Sequence, residues 1–169
     1  EVPVINSQSV GMRSFFRTGA YSRITAQYHH INEFRRGGDM LDRPPHEALI
    51  AEQIDHSIDG GSLSFDISSP DRRNRFNAYA SFQNTARKSY YGSKQDPDAY
   101  GTTHDLTVAA GMQYIHEFRK LLFMPSELTF GTEYSYDDLG DRSIGYDIHT
   151  DQTVHIVGAY LQNEWKTRK

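Results

Sequence analysis

The stretch RFNAYASFQNTARKSYYG, residues 75 to 92, alternates with a period of two. Phe76, Ala78, Ala80, Phe82 and Ala86 fall on one side of an extended chain; Asn77, Tyr79, Ser81, Gln83, Thr85 and Arg87 fall on the other. Successive side chains of a strand point to opposite faces, so this pattern predicts a strand with one apolar and one wet face. Two architectures use such a strand. A soluble sandwich or small barrel hides the apolar face in a core. An outer-membrane barrel turns it toward lipid and lines its lumen with the polar side.

Six further segments read as strands: roughly 4 to 15, 20 to 35, 52 to 68, 105 to 118, 128 to 137 and 153 to 166. Leu63, Phe65 and Ile67 share a side, as do Leu106, Val108, Ala110, Met112 and Tyr114, and Leu128, Phe130, Tyr134 and Tyr136. Gly60-Gly61 predicts a bulge or bend. No helical period is sustained; residues 44 to 56 predict at most a short helix after the prolines. The connections alternate: 17–19 short, 36–51 long, 69–74 short, 88–104 long, 119–127 intermediate, 138–152 long. In an antiparallel up-and-down meander, alternate connections share an end. The loops near 43, 96 and 145 are therefore expected at one end, and the turns near 18, 71 and 122 at the other. Outer-membrane barrels keep this order, whereas Greek-key sandwiches have no reason to. The expected fold is all-β, a meander of about seven strands.

Composition bounds the function. The net charge of −4 gives no electrostatic case for nucleic acid or an anionic membrane, and the absence of cysteine removes disulfides and thiolate chemistry. No apolar run approaches the 18 residues or so of a membrane helix, yet alternating barrel strands average out polar, in keeping with a mean hydropathy of −0.70. The chain opens EVPVINSQSV, without Met or signal peptide, and is expected to be processed or cut from a longer protein.

Chemistry-bearing motifs are sparse. His46-Glu47 lacks the second histidine of a zincin, since position 50 is Ile, and His29 and His30 point to opposite faces of a strand. Asp96 and Asp98, and Asp137, Asp138 and Asp141, do not follow EF-hand spacing, although acidic loops of this kind can take calcium. EFRRGG places Arg35 and Arg36 beside a glycine pair, either to clamp an anionic ligand or to pair with Asp39, Glu47 or Glu52. Tyr90, Tyr91 and Tyr100 offer stacking surfaces or an interfacial aromatic belt. No catalytic triad, phosphate loop or carboxylate pair is present at a usable spacing, so the residues give no ground for an enzyme.

The segments EFRRGGDMLDRPPHEALIAEQIDH, YASFQNTARKSYYGSKQDPDAYGTT and VGAYLQNEWK resemble the barrel of Bacteroidetes-type TonB-dependent outer-membrane receptors, notably cobalamin and ferric-siderophore transporters. That resemblance implies a barrel of about 22 strands closed by a plug domain, a box that contacts TonB, and import of a scarce nutrient such as an iron chelate, heme or cobalamin. Residues 1–169 are then expected to be a single segment of the barrel wall in the bacterial outer membrane, with plug and remaining strands outside it. Its partners would be the lipid bilayer, the nutrient and, through the missing part, the TonB system. Arg35, Arg36, Tyr90, Tyr91 and Tyr100 are the candidate ligand contacts, and an isolated segment is expected to self-associate. Two other readings stand beside this one: a soluble sandwich or small barrel that binds ligand in its loops, and a β-rich enzyme domain using His46, Glu47 and Glu52.

Overall fold

A computed structural model describes residues 2–166. Seven strands form one sheet: β1 (Val4–Gly19), β2 (Ser22–Gly38), β3 (Ile50–Ser68), β4 (Asn74–Ser93), β5 (Tyr100–Leu121), β6 (Met124–Ser143) and β7 (Ile148–Trp165). Their spatial order is their chain order, every neighbouring pair is antiparallel, and the sheet is not closed. The expected all-β meander is therefore the fold. Connections 39–49, 94–99 and 144–147 lie at one end of the sheet, and 20–21, 69–73 and 122–123 at the other.

The strands run longer than the sequence alternation marked. Tyr90 and Tyr91 are in β4, Tyr100 begins β5, and residues expected in the loops around 96 and 145 continue the ladder. The third long loop shrinks to a four-residue turn, 144–147, whose Asp147 is left-handed. Toward the loop end both faces become polar, so the period of two fades while the backbone goes on pairing. Pairing is invisible to a pattern that reads side chains alone.

Of two local expectations, one is met only by a single turn and the other is corrected. Residues 44–56 hold only a 3-10 turn, Pro45–Glu47, before β3 starts at Ile50. Gly60 and Gly61 make no bulge; the register runs through both without a shift. Ring packing explains them instead. A Cβ on Gly61 would meet Phe82 Cε1 at 2.9 Å, and one on Gly60 would collide with the His29 ring.

Among the described residues no second layer covers the sheet. Among the described residues the buried apolar core is Ala48, Ala51, Tyr90 and Ala99, gathered where loop 39–49 meets 94–99. The exposed surface is 11737 Å². A compact monomer of this mass exposes roughly 8,500 Å². The excess lies on the two broad faces.

Candidate functional site: a banded face and an apical loop cluster

Register assigns every strand residue to a face. Reading across from β1 to β7, one row is Ser14, Ala26, Leu63, Ala80, Ala110, Tyr134 and Val157. The next toward the tight-turn end is Phe16, Ile24, Phe65, Ala78, Met112, Thr132 and Ala159, and beyond it come Ser22, Ile67, Phe76, Tyr114, Phe130 and Leu161. Met12, Tyr28, Gly61, Phe82, Val108, Tyr136 and His155 close the band toward the loops. One row further, His30, Asp59, Asn84, Asp138 and Thr153 end it abruptly, apart from Val10 and Leu106. Many of these apolar groups are open to solvent, Val157 at 81% and Leu161 at 71%. Small side chains at Ala26, Gly61 and Ala80 leave a shallow apolar trough between the Tyr28 and Phe82 rings.

The tyrosines frame the band. Tyr28 donates to Asp59 Oδ1 at 2.5 Å, and His30 Nδ1 meets the same oxygen at 2.8 Å. Tyr134 OH pairs with His155 Nδ1 at 2.9 Å, also toward the loops. At the opposite margin Tyr114 donates to Asn74 Oδ1 at 2.7 Å, toward the tight turns. Each ring lies on the apolar band while each hydroxyl leaves it by the nearer edge. An amphipathic ring does this where an apolar medium meets a wet one.

The band also drifts across the sheet. On β1 its upper limit is Val10; on β7 it is Val157, whose row meets β1 at Ser14, four residues along. Strands tilted near 35° and about 4.8 Å apart shift a horizontal plane by about six residues over six steps, the same order.

The other face is largely polar and cross-linked, apart from exposed Ile5, Phe15, Ile148 and Ile156 on the two edge strands. Tyr79 of β4 lies over Gly111 of β5 and bonds Glu133 of β6, while Tyr160 of β7 lies over Gly131 of β6 and donates to Gln113 Oε1 of β5 at 2.5 Å. The two rings cross in opposite directions, each over a glycine. Asp66 accepts from Asn77 Nδ2 at 2.9 Å and from Arg23 at 3.4 Å. Glu117 and Glu127 stand directly opposite each other; Arg75 and Lys166 reach both, at 2.8 and 2.7 Å from Glu127 and 3.5 Å from Glu117. Nearer the loops, Thr103 accepts from Arg87 and donates to Asp141 at 2.5 Å. This face holds its polar side chains in hydrogen bonds and ion pairs that cross from strand to strand.

The five candidate ligand contacts separate into two groups. Arg36, Tyr90 and Tyr100 share one face at the loop end, in register through Gln53. Arg36 is 2% exposed and donates to the carbonyls of Gly37 (2.6 Å) and Asp39 (3.3 Å), with no carboxylate partner among the described residues. Tyr90 is 1% exposed; it donates to the Asp96 carbonyl at 2.8 Å and meets Tyr100 edge-on, ring centroids 4.9 Å apart. Arg35 and Tyr91 stand on the opposite face, Arg35 paired with Glu33 at 2.7 Å. His46 joins the first group, its Nδ1 2.8 Å from Tyr100 OH. It lies 54 residues from Tyr100, and only the register of three strands brings them together. Glu52 points to the far face, away from His46. Among the described residues no group of three or more His, Asp or Glu side chains is arranged to hold a metal ion.

An open antiparallel meander with one banded and one hydrogen-bonded face is the class of structure this chain adopts. No family model, curated protein or solved structure matches it.

Proposed function

We propose that the chain is a wall segment of an outer-membrane β-barrel, with its banded face toward lipid and its polar face toward a hydrated lumen. The observation that carries this reading is the tyrosine frame, whose hydroxyls leave the apolar band at both margins. The band spans about 7 to 9 residues per strand, close to the 9–11 that a tilted strand needs to cross a bilayer. A soluble sandwich requires a second sheet over the apolar face, and all seven strands lie in one sheet. Within this reading the barrel belongs to a receptor that imports a scarce nutrient, an iron chelate, heme or cobalamin-like ligand, by TonB-coupled transport, as the resemblance implies. Arg36, Tyr90, Tyr100 and His46 hold the extracellular loops together, and Arg35 and Tyr91 are the members left open to a ligand.

The chain has no cysteine, so single cysteines carry an environment-sensitive fluorophore at one site each. Labels at Ala78, Ala80 and Phe82, in chain reconstituted into phosphatidylcholine vesicles, are expected to be quenched by nitroxide on the acyl chains. Labels at Asn77, Ser81 and Gln83 are expected to respond to aqueous iodide instead. Equal iodide quenching at all six positions would overturn the membrane assignment.

A further inference from the structure

The three tight turns differ in chemistry. Residues 20–21 and 69–73 are small or polar apart from Tyr21, and the second is knit by Asp71, which accepts from Ser69 Oγ at 2.5 Å and from the Arg73 amide at 3.1 Å. The hydroxyl of Ser69 and the amide of Arg73 hold the Asp71 carboxyl below the usual carboxylate range. The β5–β6 turn reads Leu121-Leu122-Phe123-Met124. Leu122 is 76% exposed and Phe123 65%. Leu122 has φ 61°, a left-handed conformation that a bulky Cβ disfavours and that suits Asn or Gly. Arg72 holds the same conformation in the 69–73 turn, with φ 58°, so what sets the β5–β6 turn apart is the exposed apolar side chain at that position.

Phe123 stacks on Trp165 at the end of β7, with centroids 5.7 Å apart and planes 15° from parallel. Trp165 continues the apolar side of β7 below Val157, Ala159 and Leu161, so the turn is tied to the lower margin of the drifting band. Arg119 and Lys120 precede the turn, exposed and without an ion pair among the described residues. Among the described residues at this end of the sheet, eight Arg and Lys stand against five Asp and Glu, of which Glu117 and Glu127 are already met by Arg75 and Lys166. Aromatic and aliphatic groups beside free cations match an interface of acyl chains and anionic phosphates.

We infer that the β5–β6 turn is an interfacial foot: Leu122, Phe123 and Trp165 enter the acyl–headgroup boundary of the bilayer, and Arg119 and Lys120 meet lipid phosphate. This inference rests on the membrane reading of the sheet and adds a lipid contact outside the strands.

The test uses the 169-residue chain in vesicles of phosphatidylcholine and phosphatidylglycerol. Trp165 is the only tryptophan, so its fluorescence reports one depth. Bromines near the headgroup end of the acyl chain are expected to quench it more strongly than bromines near the terminal methyl. A fluorophore at Leu122→Cys is expected to show an iodide quenching constant at least twofold below that at Asp71→Cys. Leu122→Asn suits the turn backbone, so its strand content by circular dichroism should hold while Trp165 quenching by shallow bromine falls. Iodide access at 122 equal to that at 71 overturns the foot; if the label at Ala80 stays lipid-quenched, the barrel reading survives. Loss of lipid quenching at 80 as well overturns both. A label at 122 shielded from iodide and lipid alike indicates a protein contact and overturns the foot.

Discussion

Gly131 shows what one missing Cβ does in this sheet. An added methyl would run into the Tyr160 ring, which crosses the glycine to reach Gln113. Ring and glycine form one unit spanning three strands. Gly131→Ala should displace the ring, break the hydroxyl's bond to Gln113 and destabilise the sheet by about 1–3 kcal/mol, the usual range for overpacking. Tyr160→Phe keeps the ring and loses only the hydrogen bond, so its cost should stay near 1 kcal/mol. Urea unfolding in detergent micelles measures both. An alanine variant as stable as the parent would mean that the ring does not lie over Gly131.

Each strand presents two environments one residue apart, and β4 does so most plainly. Ala80 sits mid-band between Leu63 and Ala110, while Ser81 lies between Ser62 and Ala109 on the wetted face, its hydroxyl 3.5 Å from the Ala109 carbonyl. An arginine on a lipid face near the bilayer middle costs about 2–4 kcal/mol, and one on a lumen face costs little. Ala80→Arg should therefore destabilise the folded, lipid-embedded chain by that amount, and Ser81→Arg by less than about 1 kcal/mol. Reversible unfolding from phospholipid vesicles separates the two. Similar costs at both sites would remove the distinction between the faces.

The whole sheet exposes about 3,200 Å² more than a compact protein of its mass, judged from its 11737 Å² against the expected area. Patches beyond a few hundred Å² are rarely left bare in water. The edges add to this, since β1 and β7 have 16 and 18 residues and each lacks a neighbour on one side. Unpaired edges of this length invite pairing with further strands. In buffer without detergent or lipid, the chain should sediment as a dimer or larger assembly, and detergent should disperse it. A detergent-free monomer in analytical ultracentrifugation would count against the lipid-facing assignment. Charge divides along the same axis. Acidic residues such as Asp55, Asp59, Asp96, Asp98, Asp138, Asp141 and Asp151 outnumber basic ones toward the loops, opposite to the tight-turn end.

The fold class, the number of strands and the faces of residues 75–92 were legible in the sequence, because side-chain alternation is a local property with a fixed period. The ends of the strands were not, since pairing beyond the band depends on backbone groups that every residue carries. The glycines at 60 and 61 read as a kink because their partners, His29 and Phe82, lie on neighbouring strands. The candidate loop residues form one group along the sequence, yet adjacency alone sends Arg35 and Arg36, like Tyr90 and Tyr91, to opposite faces. Which member of each pair lies in the apical cluster was decided by register, a long-range property set jointly by all seven strands. The tyrosine frame follows the same rule. Each ring is written locally, but the residue that receives its hydroxyl comes from another strand, and only the assembled sheet says which way it points.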